Sequence, residues 1–216
     1  MARIVILGGT GYAGAHLVNE AASRGHQVLA VSRTAPESLP AGAEHLGGDL
    51  RDPAVLRTAL EGADAVIATV APRGELAEQG ALRGIYAQLA EIAREKDVRL
   101  GVIGGAGSLQ VTADGPKLVD TPEFPDAFQE EARELDAVLG DLRTEGEGLD
   151  WFFVSPAAGF GAYAPGERTG SYRLGGDVLL TDENGASELS GADLAIALID
   201  EIETTAHRRT RFTVAY

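Results

Sequence analysis

The chain has no cysteine, only two lysines (Lys96 and Lys117) and four scattered histidines, and each shortage removes a class of chemistry. Without Cys there are no disulfides, thiolate nucleophiles or cysteine-held metals, and His16, His26, His45 and His207 show no ligand spacing, so a metal site is not expected. Basic residues are scarce too: 18 Lys and Arg stand against 33 Asp and Glu, a formal net charge of −15. A surface that tracks nucleic-acid phosphates has little material here, and nucleic acid is not an expected partner. No apolar run approaches the roughly 20 residues of a membrane span. Met1 to Leu7 leads straight into a strand rather than a charged signal-peptide region, so the cytoplasm is the expected compartment. At 216 residues the chain suits one α/β domain with a core of its own.

Apolar and β-branched runs predict strands at Arg3–Leu7, Gln27–Ser32, Ala43–Leu46, Ala65–Ala68, Arg99–Ile103, Asp150–Ser155 and Arg211–Tyr216. Helical patterns fall between most of them. Leu82, Ile85, Leu89 and Ile92 stripe a helix over Glu78–Lys96, and Phe128, Ala132, Leu135 and Leu139 stripe one over Asp126–Arg143. The run Trp151 to Val154 reads as a strand buried on both faces. Such alternation means a doubly wound parallel sheet, a Rossmann fold. Residues 1–155 form the expected cofactor-binding core. From Pro156 to Ser190 glycines break the regularity, which is where a small substrate lobe or lid belongs. A helix from Gly191 to about Glu203, opened by a Ser190/Asp193 capping box, and the last strand then close the domain.

The segment Gly8-Gly9-Thr10-Gly11-Tyr12-Ala13-Gly14 follows the first strand at once and opens a helix carrying Leu17, Val18 and Ala21. Gly8 permits the tight turn, Gly11 lets the backbone approach a pyrophosphate, and Gly14 lets helix and sheet close up. The helix N-terminus then faces the anion, so a nicotinamide dinucleotide is the expected ligand. The second strand ends Val31-Ser32-Arg33, without the acidic residue that would hold an NAD ribose diol. Arg33, with Ser32 or Thr34, can instead take a 2′-phosphate, so NADP(H) is preferred, with NAD(H) still possible. One such bond is worth about 1.5–3 kcal/mol, roughly ten- to hundredfold. Asp49, after the third strand, lies level with an adenine edge and can accept from its amino group, whereas Asp52 before Pro53 reads as a helix N-cap. Thr69-Val70-Ala71-Pro72 leaves the fourth strand at the edge where ligands lie in such sheets.

The glycine loop, Arg33, Gly48-Asp49-Leu50, Gly104-Gly105-Ala106-Gly107-Ser108-Leu109 and Ser155-Pro156-Ala157 together resemble the atypical short-chain dehydrogenase/reductase superfamily. Within it the chain is similar to the NAD(P)H-binding, NmrA-like group, and there to NADH-flavin reductases and flavin reductases that also reduce biliverdin IXβ. The resemblance implies that Gly8, Thr10, Gly11, Tyr12, Ala13 and Gly14 surround the pyrophosphate and that Arg33 takes the 2′-phosphate. It places Asp49 and Leu50 at the adenine, Val70 and Ala71 beside the adenine ribose, and Gly104, Gly105 and Pro156 around the nicotinamide.

One departure is informative. The superfamily commonly uses a Tyr with a Lys four residues later, but here Lys96 is preceded at that spacing by Ile92 and Lys117 by Ala113, while Phe128 and Ala132 occupy the counterpart positions. Ser108 is the remaining polar candidate for orienting a substrate oxygen, or else a loop serine bonding backbone. A conjugated acceptor of flavin, quinone or tetrapyrrole type can take hydride and collect its proton from water, with Phe160, Tyr163 and Tyr172 as flat walls. Two alternatives use the same loop: an NADP(H)-sensing regulatory protein with a protein partner, and a nucleotide-sugar epimerase or dehydratase. Monomer and homo-oligomer are equally compatible. The segment Pro116–Pro125 reads either as a cover over the site or as a surface crossing.

Overall fold

The structure is a computed structural model that describes residues 1–72, 76, 78 and 80–216. Its strands are β1 (Arg3–Leu7), β2 (Gln27–Ser32), β3 (Ala43–Gly47), β4 (Ala65–Ala68), β5 (Arg99–Ile103), β6 (Trp151–Pro156), β7 (Arg173–Gly175) and β8 (Thr210–Ala215). The helices are α1 (Tyr12–Ser23), α2 (Pro53–Ala59), α3 (Ala81–Glu95), α4 (Gln129–Glu145) and α5 (Gly191–Thr204). The strands form one sheet in the order β3-β2-β1-β4-β5-β6-β8-β7, parallel throughout except where β7 runs antiparallel to β8. From β1 the chain winds outward to β3, then returns to place β4 on the other side of β1. That reversal opens a crevice beyond the carboxyl ends of β1 and β4.

Each face of the sheet has its own core. On one, Val5, Val66, Val102, Trp151 and Phe153 pack under α2, α3 and α4; on the other, Ile4, Ile6, Ile67, Phe152, Val154 and Phe212 pack under α1 and α5. Alternate residues of β6 serve alternate cores, as a strand buried on both faces requires. Its two Phe rings are accommodated by glycines on β5 and just beyond it. A Cβ on Gly101 would lie 2.3 Å from the Phe152 ring, and one on Gly104 would lie 2.0 Å from the Phe153 ring. Asp52 caps α2 as expected, accepting from Ala54 N at 2.9 Å with Pro53 in the first turn.

Several boundaries differ from expectation. Helix α3 begins at Ala81 behind Gly80, whose φ of +83° is left-handed, so Glu78 lies outside it and Gln79 lies outside the described residues. Asp126–Phe128 is a 3-10 turn, and the α-helix starts only at Gln129. Half of the capping box forms: Ser190 Oγ accepts from Asp193 N at 3.1 Å, but Ser190 N donates to the Tyr216 hydroxyl instead of to Asp193. The Asp193 carboxylate is spent on Thr169 N, Gly170 N and Tyr216, tying segment 165–171 to α5. Within 156–190, residues 173–175 join the main sheet as β7, and Gln110 bridges to both Lys117 and Val178. Lys117 also pairs with Asp136 of α4 at 2.5 Å, and Val119 is buried, so segment 116–120 is fastened to the body of the domain.

Candidate functional site

At the crevice beyond β1 and β4, four connections converge on a cleft of about 300 Å³ lined by Gly8 and Thr10, Val31 to Thr34, Gly48 to Arg51, and Val70, Ala71 and Leu76. Of the residues singled out in the sequence, Gly8, Thr10, Arg33, Asp49, Leu50, Val70 and Ala71 line it directly.

The loop after β1 is built by contacts specific to each glycine. Gly8 has φ +83°, and a Cβ there would lie 2.5 Å from Thr69 Oγ1. A Cβ on Gly14 would lie 2.1 Å from the Gly8 oxygen, so α1 can approach the loop only without a side chain at that position. Gly11 is different: its φ of −75° and ψ of 173° suit any residue, and an added Cβ would meet only the Gly8 oxygen, at 3.3 Å. Packing alone gives little reason for glycine at that position, whereas close approach of an anion gives one.

Gly11 caps α1 with no side-chain hydrogen bond, and the helix has no acidic residue in its first turn. Gly11 N donates to Gly8 O, and the next backbone bond of the loop runs from Ala15 N to Gly11 O. Among the described residues, the N–H groups of Tyr12, Ala13 and Gly14 therefore have no protein acceptor, and they sit at the positive end of the helix dipole. This cradle fits a dinucleotide pyrophosphate. The Tyr12 side chain turns away: its hydroxyl donates to Pro165 O and accepts from Gly191 N, both at 2.9 Å, and its ring packs on Phe160.

At the other end of the cleft, the Ser32 hydroxyl donates to Thr34 O at 2.8 Å and meets His45 Nε2 at 3.0 Å, which fixes the turn that presents Arg33 and Thr34. Asp49 is gripped by Arg51, whose Nε lies 3.0 Å from both carboxylate oxygens. Hydrogen bonds from Arg51 and the nearby Arg33 charge hold its pKa at about 2. Arg51 was not singled out in the sequence. Its signal is a cation two residues beyond Asp49, close enough to bond the carboxylate that was expected to face adenine.

The second group of expected residues lies further along the sheet, outside the lining of this cleft. Gly104 and Gly105 leave β5, and Pro156 ends β6. Gly105 is open, with the nearest atom to an added Cβ at 3.8 Å. Ser108 is buried, and its Oγ accepts from Arg211 Nη1 at 2.9 Å. Arg211 is itself buried, which pulls its guanidinium below the ordinary range against the opposing pull of Asp177. Phe160 packs against Tyr12. Tyr163 is 66% exposed and stacks on Phe128, itself 42% exposed, with centroids 6.2 Å apart.

None of the five tyrosines meets a lysine. Besides Tyr12, Tyr86 donates to Val70 O, Tyr163 to Ala158 O, Tyr172 to Asp200 and Tyr216 to Asp193. Burial and the Asp200 carboxylate push the Tyr172 phenol up to about 12. Lys96 pairs with Glu61, and Lys117 with Asp136. On α4, Ala132 packs on Gly107, whose Cβ would lie 2.6 Å from the alanine methyl. No described helix is long and apolar enough to cross a membrane, and no group of three or more metal-ligating side chains occurs among the described residues.

Residues 8–205 match the family described as NAD(P)H-binding. Three solved structures superpose on the chain over their whole length or nearly so. A "putative exported protein" of Burkholderia pseudomallei is 40% identical with a TM-score of 0.85, and each chain is covered completely. A "putative NADH-flavin reductase" of Streptococcus pneumoniae TIGR4 is 34% identical with a TM-score of 0.83, covering 100% of this chain and 99% of the other. A "putative epimerase" of Bacteroides thetaiotaomicron is 32% identical with a TM-score of 0.87, covering 100% and 97%.

Proposed function

The chain belongs to the NAD(P)H-binding family and is in general class an NAD(P)H-dependent oxidoreductase, and we propose that it prefers NADPH and delivers hydride to a planar, conjugated acceptor of flavin, quinone or tetrapyrrole type. The observation that carries this reading is the cleft at the sheet's switch point. There Gly8 and Thr10, from the loop that leads into the unspent N–H groups of α1, line one part, and Arg33 and Thr34 line another. The same cleft has no carboxylate at the end of β2, where an NAD ribose diol would need one. A charge-assisted bond from Arg33 to a 2′-phosphate is worth about 1.5–3 kcal/mol, roughly ten- to hundredfold in preference.

The choice of acceptor follows from the missing acid. The bound nicotinamide supplies the hydride. Every tyrosine hydroxyl is engaged elsewhere, Ser108 is held against Arg211, and neither lysine is available to activate a phenol. An acceptor that delocalises the incoming electron pair and takes its proton from water needs none of these groups. What the chain contributes is placement: Gly105 keeps the floor clear beside Gly104, whose own missing side chain makes room for Phe153, Pro156 fixes the carboxamide side, and the exposed rings of Phe128 and Tyr163, with Phe160, offer apolar faces.

The test is calorimetric titration of NADPH and NADH into wild type and Arg33→Ala, followed by NADPH oxidation against a panel of flavins and quinones. Tighter NADPH binding that Arg33→Ala weakens about tenfold or more, together with acceptor-dependent turnover, is the expected result. Binding with turnover at background across the panel would overturn the reductase reading and favour a cofactor sensor. Equal affinity for the two cofactors would overturn the NADPH preference alone.

A further inference from the structure

The end of the cleft expected to hold the 2′-phosphate carries two guanidinium groups, not one. In a chain with a formal charge of −15, Arg33 and Arg51 line the same small cleft, and among the described residues the acidic side chain that lines it with them is Asp49. Arg51 is tied to Asp49 through its side chain and also through its backbone N–H, which donates to Asp49 Oδ1 at 2.9 Å in a local turn. Arg51 and Asp49 are 47% and 40% exposed in their side chains, so solvent reaches the pair and a stronger anion can compete for Arg51.

We propose that Arg51 is a second determinant of cofactor choice, held on Asp49 when the cleft carries no 2′-phosphate and transferred to that phosphate when one binds beside Arg33. This rests on the cofactor reading above and deepens it. A phosphate monoester carries close to two negative charges near neutral pH and offers three acceptor oxygens to planar guanidinium forks, whereas Asp49 offers one charge. Because the Arg51–Asp49 pair is exposed, exchange from carboxylate to phosphate leaves no buried charge unpaired at Asp49. Asp49 then acts in two opposite ways. It keeps Arg51 at the cleft rim in a defined orientation, and it repels the incoming phosphate. A ribose with a free 2′-hydroxyl offers Arg51 no charge to exchange for, so Arg51 stays on Asp49. The site is thus tuned towards the phosphorylated cofactor without excluding the other.

Adenosine 2′,5′-bisphosphate and adenosine 5′-monophosphate isolate this end of the cleft from the nicotinamide and from turnover. Their dissociation constants are measured by calorimetry on wild type, Arg51→Ala, Arg51→Lys and Asp49→Asn, and the readout is the ratio between the two ligands, in which any shared effect on adenine cancels. Arg51→Ala should reduce the preference for the bisphosphate about tenfold and flatten its salt dependence. Arg51→Lys, which keeps the charge but not the fork, should retain part of the preference, and Asp49→Asn should increase it. If both ligands weaken equally in Arg51→Ala, Arg51 only orients Asp49 and the proposal is overturned while the cofactor site stands. If neither ligand binds the wild type, the cofactor reading falls, and this one with it.

Discussion

Gly11 and Gly14 belong to one loop, but their surroundings require glycine for different reasons, so the same substitution should have opposite consequences at the two sites. An alanine methyl at position 14 would sit 2.1 Å from the Gly8 oxygen and 2.9 Å from Gly9 Cα. Both are backbone atoms, so α1 must move off the loop, an overpacking cost of about 1–3 kcal/mol. At roughly 2–4 °C per kcal/mol for a domain of this size, Gly14→Ala should melt about 2–12 °C below wild type. At position 11, in ordinary extended backbone, the methyl meets one atom at 3.3 Å, a tight contact that a shift of a few tenths of an ångström in the Gly8 oxygen relieves. The weaker N-cap is offset by about 0.4–1 kcal/mol of lost unfolded-state entropy, so the ligand-free melting temperature should stay within roughly 3 °C of wild type. The difference appears with ligand. NADPH at a hundred times its dissociation constant should stabilise wild type by about 2.7 kcal/mol, or roughly 5–11 °C. A methyl that displaces one charge-assisted bond to the pyrophosphate weakens binding about ten- to hundredfold. At the same ligand concentration that leaves about 0.4–1.4 kcal/mol, a shift of roughly 1–6 °C. Thermal melts with and without NADPH decide the matter. A full ligand shift in Gly11→Ala, or an unchanged ligand-free melt in Gly14→Ala, would refute the reasoning.

Three further outcomes follow from the fold. Glu201→Ala strips Arg99 of its buried partner at 2.5 Å and should cost about 3–5 kcal/mol in urea unfolding, with a loss under 1 kcal/mol counting against a structural role for the pair. Burial raises the Asp193 pKa, but bonds to its charged form from Tyr216, Thr169, Gly170 and Ser190 outweigh this and leave it below the ordinary carboxylate range. Because the native value is the depressed one, this stabilisation is complete above about pH 4 and lost as pH falls through the native pKa; Asp193→Asn should flatten that part of an acid melting profile. Tyr12→Phe removes the bonds to Pro165 O and Gly191 N, so hydrogen exchange in residues 165–171 and at the start of α5 should quicken while β1 and β5 stay protected.

Most of the parallel strands were legible because they are short apolar runs between two helical layers, a pattern that comes from the local sequence; the edge strand β3, Ala43–Gly47, has no buried residue. The strand β7 was not legible. Arg173-Leu174-Gly175 has no strand pattern of its own and becomes one only by pairing with Val214 and its neighbours some forty residues later in the chain. The same distinction separates the parts of the site. The glycine loop is contiguous, so its geometry was readable, and Arg33 could be placed because β2 was. The environment of Ser108 was not readable, since its partner Arg211 lies 103 residues away on β8. Arg51 stood beside an expected residue and was passed over because a cation next to an acid reads first as a solvated surface pair.

The position of β7 has a consequence for solubility. Residues Arg211 to Ala215 of β8 are all buried, and without β7 this strand would be the edge of the sheet, presenting unpaired backbone beside an apolar surface. In its place the outermost strand is three residues long, carries Arg173 and ends at Gly175. A second chain has little there to pair with. The stretch between β6 and α5 therefore also acts as a guard against edge-to-edge association, and variants that loosen it should aggregate before they unfold.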